Sequence, residues 1–257
     1  MSIEKTIRSQ ARQKLRGNYV LAVAAQFSVF ALMITALFGL EIIISSFGVL
    51  DEEEKIRTGA ELVYITAVLI AVIAVVLFSP VKNGLLRLFY RIACGEEAGY
   101  GDVFYYFKKG RYLTTLGFNL VLLLKKLIKA FLCLVPYIVL SVMKTTLGFD
   151  SAFYDITGVV LIVFAVCVYI LWTLKYFISE FIYIDSESRN FSAIYSVTNH
   201  IFKRHRGDVY MLWCSFLPWI GLCFFVLPAL YVIPYALTSA AVSTKWLLKI
   251  YKDGKMI

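Results

Sequence analysis

The chain has 257 residues, 60% of them hydrophobic and 17% charged, with a formal net charge of +9. Soluble domains are about 45–50% apolar. Here the excess falls in long runs, and the mean hydropathy is +0.77. That composition excludes an ordinary soluble fold and predicts one all-α integral membrane domain over 1–257. Nucleic acid is not the expected partner. The Lys and Arg residues sit between apolar runs, where they set orientation and attract anionic headgroups of the lipid bilayer. A second membrane protein is the other partner class that such a surface admits.

Taken in order, residues 1–17 predict a basic amphipathic helix suited to a membrane surface. Ile3, Ile7, Ala11 and Leu15 recur every four residues, while Lys5, Arg8, Arg12, Lys14 and Arg16 take other faces. Residues 18–93 predict a first membrane hairpin. Its passes are Tyr19–Leu40 and Leu62–Phe78, the second continuing past Pro80 with Gly84 at a close approach. Glu41 is expected near the far interface.

Residues 94–126 predict a cytoplasmic and interfacial segment. Asp102 is the expected N-cap of a short aromatic helix, and Phe104, Tyr105 and Phe107 are expected at headgroup level. The following run contains Lys125, Lys126 and Lys129, whose ammonium groups would be costly at a bilayer centre. The favoured reading makes 111–124 a surface or re-entrant helix and starts the true pass at Leu127, with the lysines snorkelling to the interface. The other reading keeps one long helix whose lysines bind an anion.

Residues 127–183 predict a second hairpin, with passes at Leu127–Leu147 and Ile156–Leu174. Glu180 follows as an interfacial carboxylate paired locally. Residues 184–206 predict a cytoplasmic helix with a basic end. Residues 207–257 predict a third hairpin and a basic tail, because Val209–Thr244 contains no Asp, Glu, Lys or Arg over 36 residues. The count is therefore six transmembrane helices in three hairpins.

Orientation follows from charge. Four segments carry five (2–16), six (82–111), five (175–206) and four (245–257) Lys/Arg, against two and one in the outer loops around Lys55 and Lys144. Both termini are expected in the cytoplasm. Each hairpin also opens alike, at Arg16-Gly17-Asn18, Lys109-Gly110-Arg111 and Arg206-Gly207-Asp208. Pro80 with Gly84 matches Pro234 with Thr238 in spacing.

Chemistry-bearing motifs are few. There is no phosphate-binding loop, nucleophile elbow, HExxH or paired cysteine set. His200 and His205 lie five apart and so do not share a helix face. Four of the five cysteines lie in apolar runs and read as buried thiols. No cofactor, metal or catalytic residue is expected, and an enzyme is not the expected class.

The stretches ARQKLRGNY, PVKNGLLRLFYRIACGEEAGYGDVFYYFKKG and YFISEFIYIDSESRNFSAIYSVTNHIFKRHRGDVYMLWC, with VIPYALTSAAV near the end, occur in an order that resembles the bacterial membrane protein family called domain of unknown function 975. The carrying elements are the KLRGN start, the loop Cys94-Gly95-Glu96-Glu97 with Gly101-Asp102, the segment around Asp185 and Ser192-Ala193-Ile194, and the proline-marked last pass. The resemblance implies a six-pass helical protein of the bacterial cell membrane and carries over no activity. The chain departs from that pattern at Lys125, Lys126 and Lys129, where the family's third pass is apolar with a Trp.

The leading functional expectation is a non-enzymatic scaffold or modulator of membrane partners or lipids. The alternative is a transporter or channel for a small anionic solute or lipid. The candidate anion or headgroup contacts are Lys125, Lys126 and Lys129, with Glu180 and Asn119 as polar partners. Geometry discriminates between the two. Convergence of these five on a deep polar cavity favours transport, and lysines beside Lys175 and the basic loops favour the scaffold.

Overall fold

A computed structural model describes residues 3–46, 61–108, 110–147, 152–186, 188–223 and 226–254. These residues form nine α-helices and one 3-10 helix. They are α1 (Ile3–Arg16), α2 (Tyr19–Ser46), α3 (Glu61–Cys94), the 3-10 helix (Tyr100–Phe107), α4 (Tyr112–Leu147), α5 (Ala152–Thr173), α6 (Lys175–Ser186), α7 (Phe191–Cys214), α8 (Leu217–Leu222) and α9 (Val226–Gly254). Among the described residues no strand forms. Residues 51–57, expected as an outer loop, and residues 148–151 of the outer loop expected around Lys144 lie outside the described residues.

Four helical stretches are long and apolar enough to cross a membrane: Tyr19–Gly39, Leu62–Cys94, Tyr112–Thr146 and Ile156–Ser186. The chain is thus an all-helical membrane protein. Its helices divide into two zones. In α2 after Ala25, the first half of α3, the second half of α4 and most of α5, large side chains such as Phe30, Leu69, Phe131 and Phe164 are exposed. Apolar exposure on this scale is what a lipid-facing surface requires.

The other zone is packed like a soluble core. It combines α1, the C-terminal half of α3, the 3-10 helix, the start of α4, and α6, α7 and α9 around Leu88, Phe89, Tyr106, Phe118, Phe181, Ile201 and Leu247. Each large apolar side chain withdrawn from water contributes about 1.5–3 kcal/mol. Phe118 of α4 stacks on Tyr183 of α6 with centroids 4.3 Å apart and meets Tyr195 of α7 at 6.0 Å. The Thr115 and Tyr183 hydroxyls are hydrogen-bonded at 2.8 Å beneath that stack.

α9 is the helix that the packed zone surrounds, touching α1, α2, α3, α6, α7 and α8. Its run Thr238-Ser239-Ala240-Ala241-Val242-Ser243-Thr244 is wholly buried. Small residues let neighbouring helices come close. The buried hydroxyls of Thr238, Ser239 and Thr244 donate back to the carbonyls of Pro234, Tyr235 and Ala240 at 2.8, 2.8 and 2.9 Å, so burial leaves none of the three donors unmet.

Several expectations change. The apolar stripe of α1 (Ile7, Ala11, Leu15) is buried against protein rather than turned to a membrane. α4 runs unbroken through the junction expected at 126/127, because Leu, Val and Lys between Phe118 and Pro136 all sustain a helix and nothing there interrupts it. The helix that begins α7 also continues through Arg206-Gly207-Asp208. It kinks at His205 (φ −119°, ψ 25°) instead of ending at Gly207, and the His205 ring and the Asp208 carboxylate lie 3.1 Å apart. Asp102 is not an N-cap. Gly99 takes that position, and Asp102 lies three residues inside, accepting from the Gly99 N–H at 3.0 Å. Pro80 and Pro234 share a spacing but not a role. Thr238 bonds back to Pro234, whereas Gly84 makes room for the 3-10 helix.

Candidate functional site

Where the exposed apolar zone meets the packed zone, α3, α4 and α6 carry five lysines, two of which share one carboxylate. Glu180 is buried on α6, its side chain 7% exposed, and it accepts from Lys82 Nζ at 2.6 Å and Lys126 Nζ at 3.4 Å on the same oxygen, Oε1. An unpaired carboxylate at this depth would be costly, and two ammonium partners offset that cost. α3 and α6 run side by side through this contact. The neighbouring pair downstream, the Tyr90 hydroxyl donating to Asp185 Oδ1 at 2.7 Å, keeps the same alignment.

The remaining lysines are anchored by aromatic faces and helix ends. Lys125 Nζ lies 3.3 Å above the centre of the Tyr195 ring, a short cation–π contact. Burial, with smaller contributions from Tyr176 and Glu180, pushes the Tyr195 phenol above its ordinary range, so the ring beneath Lys125 stays neutral. Lys129 donates to the Trp172 carbonyl at 3.0 Å and lies 4.5 Å from the centre of the Tyr176 ring. That carbonyl belongs to the last turn of α5, where acceptors lack helical partners and a cation suits the helix dipole. Lys175 donates to Asn199 Oδ1 at 2.7 Å.

Of the five residues singled out from sequence, the structure unites Lys126 with Glu180 and sets Lys125 and Lys129 on the rings beside them. Asn119 does not join. It donates to Ser79 Oγ at 3.0 Å, tying α4 to α3 next to Pro80. Counting Lys82, Lys125, Lys126, Lys129 and Lys175 against Glu180 leaves a formal charge of five minus one, +4. The cluster is a basic belt. Two cavities, of about 950 and 800 Å³, are lined by none of these side chains.

A second ionic knot holds the 3-10 helix. Arg91 Nη1 donates to both oxygens of the buried Asp102 at 2.8 and 2.9 Å, and Arg91 Nε reaches Glu96 at 3.3 Å. Arg87 and Arg111 stack on the Tyr105 ring at 3.5 and 4.2 Å from its centre. Tyr105 is thus held by two guanidiniums, while Phe104 and Phe107 are exposed.

Sequence reasoning missed Lys82 as the partner of Glu180, and Tyr176 and Tyr195 as ring seats. These pairings span long separations in the chain, so no local spacing signals them. Among the described residues no group of three or more His, Cys, Asp or Glu is placed to share a metal ion. All five cysteines are free thiols. No family model, curated protein or solved structure matches the chain.

Proposed function

We propose that this chain is a non-enzymatic membrane protein that binds anionic lipid headgroups and organises membrane partners or lipids around them. The carrying observation is the +4 belt of Lys82, Lys125, Lys126, Lys129 and Lys175, of which Lys82 and Lys126 are paired with Glu180. It sits where exposed apolar helix gives way to packed core, which is where headgroups meet a membrane protein. Length supports the same placement. The 36 residues of α4 extend about 54 Å as a helix, well beyond the roughly 30 Å of a hydrocarbon core. Lys125 and Lys126 can therefore lie outside that core while Leu127–Leu147 crosses it, with Lys129, two residues in, reaching to the Trp172 carbonyl at the end of α5.

The proposal extends to six passes, to termini facing the cytoplasm of a bacterial cell membrane, and to membership of the family called domain of unknown function 975. The charge asymmetry of the loops and the order of the motif-bearing stretches support these. Transport of a small anion through the lysines is the alternative, and the pairing of Lys126 with Glu180 and of Lys125 with Tyr195 argues against it.

The test compares wild type with Lys125→Ala/Lys126→Ala/Lys129→Ala. Both proteins are purified with native lipid and then reconstituted. We expect the variant to retain several-fold less phosphatidylglycerol, with no change in anion flux. Unchanged lipid with lost flux would move the function to transport.

A further inference from the structure

A different basic face lies where α1 turns into α2. Arg8, Arg12 and Arg16 recur every four residues on α1, so they form one stripe along the helix. The stripe overlooks a shelf of four aromatic rings from three other elements. Phe216 meets Tyr235 at 5.4 Å between centroids, Tyr235 meets Tyr231 at 5.8 Å, and Tyr231 meets Tyr19 at 5.9 Å. Arg8 lies 5.3 Å from the centre of Phe216 and donates to the Tyr235 hydroxyl at 3.2 Å. Arg12 lies 5.8 Å from the centre of Tyr235.

Beside this shelf is a cavity of about 800 Å³, bounded by Ser9, Arg12, Gln13, Arg16, Tyr19 and Tyr231. Its volume falls in the range of small-ligand sites, about 300–1,000 Å³. Among the described residues no carboxylate lines it, so the two guanidiniums meet no internal counter-ion there. A guanidinium lying on a ring keeps its N–H edge free for two parallel hydrogen bonds to a phosphate. Tyr19 is also the first residue of the apolar span Tyr19–Gly39. The cavity therefore opens at the depth where phosphates sit, just outside the hydrocarbon, and the exposed Val20 and Phe27 continue from it along α2.

The geometry points to a phospholipid site in which Arg12 and Arg16 hold the phosphate of an anionic lipid while Tyr19 and Tyr231 wall the glycerol region. This rests on the reading that the protein engages anionic lipid, and it adds to the lysine belt a selective contact at α1.

The test uses full-length protein in nanodiscs of phosphatidylcholine containing a minor fraction of phosphatidylglycerol, with lipid retained after detergent extraction counted by native mass spectrometry. Arg12→Gln/Arg16→Gln is expected to lower retained phosphatidylglycerol about tenfold, as loss of charge-assisted hydrogen bonds worth about 1.4 kcal/mol gives. Arg12→Lys/Arg16→Lys keeps the charge and is expected to recover only a minor part of it. Full recovery with lysine would reduce the site to general electrostatics and overturn the proposal. So would unchanged retention in the glutamine variant, or displacement of the lipid by millimolar inorganic phosphate. If the double variant loses helical content, Arg16→Gln alone, at the exposed last turn of α1, carries the same expectation. Loss of retention only in the lysine-belt variant would overturn this site and leave the belt as the lipid contact. Loss in neither variant would remove both readings.

Discussion

Glu180 binds three helices through a single oxygen. Replacing it with Gln keeps the shape but leaves Lys82 and Lys126 without a counter-charge. Breaking a fully buried pair costs about 3–5 kcal/mol, but Lys82 is half exposed and water screens its share. We expect Glu180→Gln to destabilise the protein by about 2 kcal/mol, read as a lower thermal midpoint in mild detergent. Lys82→Met added to that background is expected to cost little more, because the partner is already gone. Fully additive losses in the double variant would show that the two groups are not coupled. The same logic separates Asp102 from Glu180. Asp102 faces arginine partners and the backbone N–H of Gly99, so it organises one loop, whereas Glu180 joins α3, α4 and α6.

At the scale of elements, the docking of the 3-10 helix on α3 is decided by one missing side chain. A Cβ at Gly84 would run into the carbonyl oxygen of Val103, and backbone cannot swing aside as a flexible side chain can. Gly84→Ala is therefore expected to lift Tyr100–Phe107 off α3, exposing Val103 and Tyr106 and loosening the Arg91–Asp102 pair. Overpacking of this kind costs about 1–3 kcal/mol or more. Limited proteolysis between Gly95 and Gly110 should become several-fold faster than in wild type. Unaltered cleavage would mean that the loop docks without that close approach.

The sequence marked Gly84 as a place of close approach, and it marked the lysines, Glu180, the extents of α1 and α3, the start of α2 and the end of α5, because apolar periodicity and run length are local signals. It could not mark that α9 is the central helix. Thr238–Thr244 reads as the tail of a membrane pass, and only the bonds back to Pro234, Tyr235 and Ala240 let so many hydroxyls be buried. Nor could it show where the lysines of α4 sit, because Glu180, Tyr195 and the end of α5, which offer them seats, are all far away in the chain.

At the scale of the whole molecule, the packed zone gathers the segments richest in Lys and Arg. Lys14 of α1, Glu96 after α3, Asp185 of α6 and Lys252 of α9 border one cavity of about 950 Å³, and Lys252 reaches Asp185 at 3.4 Å. The N-terminal helix and the end of α9 therefore lie together, which supports the proposal that both termini share one side of the bilayer and that the number of passes is even. Four spans satisfy this, and six do so if α7–α9 also cross.

Length makes the fifth crossing the tight one. Residues 209–223 extend about 22 Å even as continuous helix, and the turn at Ser215-Phe216 interrupts them. The roughly 30 Å hydrocarbon core would have to thin locally, or the turn would reach only the outer headgroups. The exposed Met211, Leu217 and Leu222 favour immersion over a watery surface. On a background with the five native cysteines replaced by Ser, we expect Lys55→Cys to react with a membrane-impermeant maleimide from outside intact cells and Lys252→Cys to react only after permeabilisation. Phe224→Cys decides the count. Labelling from outside supports six passes, with the third hairpin emerging within the outer headgroups. Protection until permeabilisation would reduce the protein to four passes, with a cytoplasmic α7–α9 cap whose apolar turn dips into the inner leaflet.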